Sequence, residues 1–188
     1  YLDTVAQFPK DYRWMPLASL LMLAYVVWMV TIHSSVAPHK QIFSQVGLVF
    51  AAMSSLVLVT DYFLQFSVVP ISLMSGETEG ITLLTQYNAH GVFIALEELG
   101  YLLMALSFLF IAPTFAGKDR LQKAVRWVFL TGFGLALVAF SAFSAIYGLD
   151  RQDRFEVAII SVDWLVLLIN SILLGLWFRR QIPPSGEE

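Results

Sequence analysis

The chain has 188 residues, of which 58% are hydrophobic and 13% are charged, and its formal net charge is −3. A soluble domain is usually about one quarter charged, so the composition excludes an ordinary soluble protein. The chain contains no cysteine, which excludes disulfides and thiolate metal sites.

Five apolar runs follow one another along the chain. Each is long enough to cross a hydrocarbon core, which needs roughly 20 helical residues. The runs lack the alternation of barrel strands and the polar face that a soluble helix keeps. The sequence therefore predicts an all-α, polytopic transmembrane helical bundle that forms one domain over 1–188, in preference to a soluble bundle of five buried helices. The predicted spans are 14–32, 42–66, 91–115, 125–147 and 157–178.

The connection between the second and third runs is long and half apolar. We interpret it as a second helix that runs past the membrane surface, a turn bracketed by Gly76 and Gly80, and a short interfacial segment. An ordinary surface loop is the alternative. Asn88 is a candidate N-cap of the third helix, because an Asn side chain accepts hydrogen bonds from the free N–H groups at a helix start.

Lys and Arg residues in the short loops indicate the orientation, because cytoplasmic loops carry an excess of them. Seven lie on one side of the membrane and four on the other. We therefore expect the C-terminus to be cytoplasmic and the long acidic loop to face outward. Since the chain begins outside, at Tyr1 rather than Met, we expect either a sixth helix upstream of Tyr1 or a processed N-terminus.

Four acidic residues lie inside the predicted spans, with no Lys or Arg close to them in the sequence. Asp61 lies near the end of the second span, Glu97 and Glu98 near the start of the third, and Asp163 near the start of the fifth. At 1.5 Å per residue, each carboxyl is expected roughly 8–10 Å below the same membrane surface. Charged groups at such depths almost always face the bundle interior or a wet cavity, so the sequence predicts one shared acidic layer.

Further polar side chains extend this layer at helical spacing. Tyr101 lies one turn below Glu97, His90 lies two turns above it, and Asn170 lies two turns below Asp163. Without a basic partner, some of the acids are expected to be protonated at neutral pH. The predicted ligand or proton site comprises Asp61, Gln65, His90, Glu97, Glu98, Tyr101, Asp163 and Asn170. For each acid taken alone, the alternative is a structural hydrogen bond between helices or a group that reaches water at the headgroups.

Two stretches carry a family resemblance. The segment TQYNAHGVFIALEELGYLLMALSFLF, preceded by TDYFLQFSVV, resembles a group of uncharacterised bacterial multi-spanning membrane proteins with a QYNxHGxFIALE[DE]xGY-like stretch. The likeness covers about 12–113. It implies a bacterial inner (plasma) membrane protein with an additional upstream helix, and it implies no activity.

Three classes of function remain open. The first is a protein whose outward-facing acidic pocket binds a cation, a proton, or an amine-bearing or lipid-like small molecule. The second is a non-catalytic subunit or assembly partner of a membrane complex, or a homo-oligomer. The third is a lipid-modifying, isomerase-like enzyme, with Glu97 or Glu98 and Asp61 as general acid and base. Membrane lipids are the expected surroundings; no metal, cofactor or nucleic-acid partner is predicted.

Overall fold

The computed structural model describes residues 12–77 and 79–181, and this part of the chain is almost entirely helical. Five of its helices are long and apolar enough to cross a membrane, which confirms the predicted all-α bundle of five spans. In chain order the α-helices are α1 Met15–Ser34, α2 Gln41–Ser67, α3 Val69–Met74, α4 Ile81–Leu84, α5 Val92–Ile111, α6 Arg120–Tyr147 and α7 Gln152–Arg179. Short 3-10 turns lie at Pro38–Lys40, Ala112–Phe115 and Gly148–Arg151.

Helix α5 is the centre of the bundle. It packs against α2, α6 and α7, while α1 packs mainly on α2. Its span is more buried than that of any other long helix described. The outer faces of α1 and α6 carry large exposed apolar side chains such as Leu17, Leu20, Trp127 and Leu137. This distribution fits a multi-pass membrane protein whose outer helices face lipid and whose polar residues lie around α5.

The long connection after α2 folds much as we interpreted it from the sequence. Helix α2 runs to Ser67, α3 follows with Pro70 in its first turn, and α4 precedes α5. Gly76 and Gly80, which bracket the turn, both have positive φ angles of 75° and 78°, a conformation that glycine adopts readily. The expected N-cap was wrong. Gly91 is the N-cap of α5 and gives no side-chain hydrogen bond, whereas the Asn88 Oδ1 accepts a bond from the His90 N–H.

Two helices begin earlier than the sequence predicts. Helix α6 starts at Arg120 rather than near residue 125, and α7 starts at Gln152 rather than near residue 157. Each therefore has 28 residues, about 42 Å of helix, which exceeds the roughly 30 Å of the hydrocarbon core. As a consequence, Asp153 and Glu156 belong to the first two turns of α7 rather than to a loop.

Candidate functional site: a carboxyl cleft at one end of the bundle

Three carboxyl groups from three helices meet at one end of the bundle. Glu97 lies five residues into α5, Glu156 lies four residues into α7, and Asp61 lies six residues before the end of α2. Because α5 and α7 start at this end and α2 finishes there, the same short distance from each terminus brings the side chains to one level.

The carboxyl groups of Glu97 and Glu156 lie close enough for each to act on the other. Two ionised carboxylates this close repel each other, and a proton or a cation between them relieves that repulsion. Glu97 also lies beside the Tyr62 hydroxyl, and Asp61 is close enough for its charge to act on both glutamates. The site is therefore a close pair of glutamates with a third acid beside it.

Two buried oxygen atoms of this group have no hydrogen-bond partner among the described residues. They are Oε1 of Glu97 and Oδ2 of Asp61. Both side chains belong to residues that are only 2% exposed. A buried polar atom left without a partner costs about 1–3 kcal/mol, so the site retains capacity to accept a hydrogen bond from a donor.

The glutamate pair forms part of the wall of a cleft of about 420 Å3. Asp153 and Glu156 of α7 contribute to it together with Glu97, and the rings of Trp14 and Phe93 also line it. None of its lining residues in the described structure is a Lys or Arg. The cleft therefore combines negative charge with aromatic surface and has no built-in cation.

A chain of hydrogen-bonded rings lies directly beneath the glutamates. The hydroxyl groups of Tyr62 and Tyr101 are 3.0 Å apart, and Nε1 of Trp164 donates to the Tyr101 hydroxyl at 3.1 Å. Trp14 packs edge-on against Tyr62, with ring centroids 5.3 Å apart. These contacts fix the Tyr62 hydroxyl beside Glu97 and connect α1, α2, α5 and α7.

Glu98 has a different environment from its neighbour. Its Oε1 accepts a 2.6 Å bond from Nη2 of Arg151, so the two form an ion pair. The Arg151 guanidinium also lies over the Phe140 ring, 4.8 Å from its centroid. The sequence shows no base near Glu98, but the turn before α7 supplies one. The premise that these acids lack a basic partner was therefore wrong for Glu98, which is paired with Arg151 although its charge also reaches Glu156.

Gln65, in the last turns of α2, and His90, in the turn before α5, contact the connecting segment rather than the carboxyls. The Gln65 amide donates to the carbonyl oxygen of Leu84 and accepts from the backbone N–H of Gln86 at 3.2 Å. Both ends of its side chain therefore hold α4 against α2. His90 is exposed in the turn that precedes α5, outside the set of residues that line the cleft.

Asp163 and Asn170 lie deeper than the sequence predicts. Asp163 follows Glu156 by seven residues in α7, a rise of about 10 Å, so it cannot share the level of Glu97. The expectation of four acids in one layer was wrong in this respect, because α7 begins five residues earlier than predicted. Glu156 occupies the place in the layer that the sequence assigned to Asp163.

Glu156 and Arg151 are the functional candidates that the sequence analysis missed. Both lie between the predicted spans 125–147 and 157–178. One signal was available for Glu156: it precedes Asp163 by seven residues and Asn170 by fourteen. That repeat places all three on one face of a continuous helix. No signal in the sequence indicates that Arg151 pairs with Glu98.

Comparisons of the chain with protein-family models, with curated proteins and with solved structures give no match. The resemblance to uncharacterised bacterial membrane proteins stays a prediction, and the function has to be argued from the geometry of the bundle.

Proposed function

We propose that this multi-pass membrane protein binds the amino group of a small amphipathic amine in the carboxyl cleft. The observation that carries the proposal is the close Glu97–Glu156 pair in the cleft wall, which retains an unpartnered buried oxygen. A protonated amine supplies N–H donors for that oxygen. Its positive charge also relieves the repulsion between the two glutamates.

The rest of the cleft suits the apolar part of such a ligand. Trp14 and Phe93 offer ring surface next to the acids, and aromatic faces attract a cation within about 6 Å. A volume of about 420 Å3 falls in the range typical of small-molecule sites, about 300–1,000 Å3. Acid and aromatic surface together favour an organic amine over a bare metal ion, which would gain nothing from the apolar walls.

The binding test compares phenethylamine with phenethyl alcohol, which has the same ring and chain but no charge. With purified protein in lipid nanodiscs, we expect phenethylamine to raise the thermal unfolding temperature and the alcohol to have little effect. Replacement Glu97→Gln is expected to weaken phenethylamine binding by about tenfold or more, since a hydrogen bond to a charged group contributes about 1.5–3 kcal/mol.

The matched control for this test is Glu77→Gln, which makes the same chemical change in an exposed loop at the same end of the chain's second helix. It is expected to bind phenethylamine as the wild type does. Equal affinity for phenethylamine and phenethyl alcohol, or full affinity in the Glu97→Gln protein, would contradict the proposal. The assembly-partner and lipid-enzyme functions stay predictions.

The proposal includes an orientation in which the cleft faces outward and the C-terminus is cytoplasmic. It is supported by the distribution of Lys and Arg between the loops. The chain has no native cysteine, so single-cysteine labelling has no background from the protein itself. In intact cells, a membrane-impermeant maleimide is expected to label Glu77→Cys at once. It should label Lys118→Cys only after the membrane is permeabilised, and the reverse pattern would invert the proposed orientation.

A further inference from the structure

Buried polar residues continue from the cleft through the interior to the opposite end of the bundle. We propose that this polar file, consisting of Glu97, Tyr101, Asp163, Tyr25, Asn170 and His33, conducts protons across the membrane. The proposal goes beyond amine binding and shares only Glu97 with it.

Contacts between α2 and α5 show which residues of the polar file lie at the same depth in the bundle. A Cβ built on Gly100 would lie 2.5 Å from Leu58, so these two residues are at one level of α5 and α2. Lower down, a Cβ on Gly47 would lie 3.2 Å from the Ser107 carbonyl oxygen. Between Asp61 and Ser44, α2 advances by 17 residues, or about 25 Å. The file therefore spans most of a hydrocarbon core of about 30 Å.

The upper part of the file places the glutamate pair next to two hydrogen-bonded hydroxyl groups. Glu97 lies beside the Tyr62 hydroxyl, which is hydrogen-bonded to the Tyr101 hydroxyl. Each of these groups carries an exchangeable proton and also accepts a hydrogen bond. A proton on the glutamates is thus connected to a point four residues deeper in α5, about 6 Å below them.

The middle part contains polar side chains that are fully buried and have no partner among the described residues. Asp163 and Asn170 of α7 and Ser54 of α2 are each 0% exposed. Both carboxyl oxygens of Asp163, both polar atoms of the Asn170 amide and the Ser54 hydroxyl lack hydrogen bonds. Orphaned buried groups are energetically costly, so the two on α7 indicate that a polar guest belongs beside Asp163 and Asn170.

The chemistry of Asn170 identifies that guest as water. Its Nδ2 is a donor and its Oδ1 is an acceptor, and both are unpartnered. A metal cation satisfies only the acceptor, whereas water donates and accepts. Asp163 is close enough to Tyr101 above and to Tyr25 below for its charge to act on both hydroxyls. Water held by Asp163 and Asn170 therefore connects the Tyr101 hydroxyl to the lower part of the file.

The lower part of the file ends at a histidine. The Tyr25 hydroxyl is hydrogen-bonded to Ser107, and nearer the end of the bundle Nδ1 of His33 lies 2.7 Å from the Ser44 hydroxyl. An imidazole accepts a proton at one nitrogen and releases one from the other. His33 is half-buried, so it serves as the terminal group that exchanges protons with the surface.

Few other charges bear on this file. At the upper end Glu156 and Asp61 face Glu97, and Asp153 lies beside Glu156. Glu98 also acts on Glu156 and is itself paired with Arg151. At the lower end Lys40 donates from Nζ to the Thr114 carbonyl oxygen, 3.3 Å away. Asp163 is the acid at the middle of the membrane, so it takes up the proton from above and releases it below. One proton crosses in each passage, only O–H and N–H bonds form and break, and no redox partner is required.

The test measures proton flux in liposomes that contain the purified protein and an entrapped pH-sensitive dye, with a K+ diffusion potential set by valinomycin. In liposomes with wild-type protein, the luminal pH is expected to change faster than in empty liposomes. Asp163→Asn, which keeps the side-chain shape, should lower this rate to that of empty liposomes. Asn170→Leu, which leaves every titratable group in place, should do the same. Ser161→Ala is the matched control, since Ser161 is exposed on the same helix and, within residues 12–77 and 79–181, its hydroxyl bonds only to the Val157 carbonyl oxygen.

Phenethylamine binding separates this proposal from the first one. Asp163→Asn should still bind phenethylamine, because Asp163 lies below the cleft and outside its lining, and retained binding also shows that the variant is folded. Wild-type flux equal to that of empty liposomes, or unchanged flux in both Asp163→Asn and Asn170→Leu, would overturn the polar file whether or not the amine binds.

Discussion

Replacing Glu98 by Leu is expected to destabilise the protein by about 3 kcal/mol, because it leaves the Arg151 guanidinium without its carboxylate. Breaking a buried ion pair typically costs about 3–5 kcal/mol. We expect the lower end of that range, since the side chains of Arg151 and Glu98 are 19% and 10% exposed. Arg151 would also keep its contact with the Phe140 ring, which offsets part of the loss.

The double replacement Glu98→Leu with Arg151→Met is expected to recover most of that stability. A buried ion pair replaced by apolar residues of similar volume is often neutral or stabilising. The measurement is the free energy of unfolding in mixed detergent micelles for the wild type, both single variants and the double variant. Arg154→Met serves as the control, because Arg154 stacks on Tyr147 at the exposed surface and has no carboxylate partner among the described residues. Additive losses in the double variant would contradict a coupling between Glu98 and Arg151.

The adjacent residues Glu97 and Glu98 therefore have different structural roles. Successive residues of a helix point about 100° apart, so Glu97 faces Glu156 and Tyr62 while Glu98 faces Arg151. The ion pair joins α5 to the start of α7, next to the turn that carries Glu156. By holding that end of α7 in place, it positions one glutamate of the pair against the other without contacting the cleft itself.

The helices were predictable from the sequence because membrane spans are defined by length and apolarity. Helix ends were not, and the start of α7 shows why. Its first turns contain Gln152, Asp153, Arg154 and Glu156, which lower the local hydropathy without interrupting the helix. A hydropathy pattern reports where the chain enters lipid, whereas helical hydrogen bonding continues into the interface. The missed residues of α7 were therefore those that complete the cleft.

Within the candidate site, the sequence predicted only which residues of a single helix share a face. The sequence alone places Glu97 and Tyr101 on one side of α5, because side chains four residues apart share a face. The packing of α5 against α7 depends on where each helix begins and on its orientation about its own axis. The sequence specifies neither. Asp163 therefore lies deeper than the sequence predicts. The partner of Glu98 is Arg151, which lies 53 residues from it in the chain.

Helix α5 packs tightly against Leu58 of α2 at a glycine, between the glutamate pair and the Tyr101 hydroxyl. A Cβ at Gly100 would lie 2.5 Å from both Cγ and Cδ2 of Leu58, and Leu58 is completely buried. Neither atom has space to withdraw in a packed core. The small residue at position 100 therefore sets the distance between the helices and allows the 3.0 Å contact of Tyr62 with Tyr101.

Gly100→Val is expected to destabilise the protein by about 3 kcal/mol, the upper range for overpacking a core, and to weaken phenethylamine binding as Tyr62 moves away from Glu97. The same change at Gly134 of α6 is the control, because a Cβ there has nothing within 4 Å. Adding Leu58→Ala to Gly100→Val frees space and should return part of both losses, although Leu58→Ala alone destabilises by leaving a cavity. Unfolding free energies and phenethylamine affinities of these variants test the packing. If Gly100→Val and Gly134→Val behave alike, the close approach of α2 and α5 does not determine the geometry of the site.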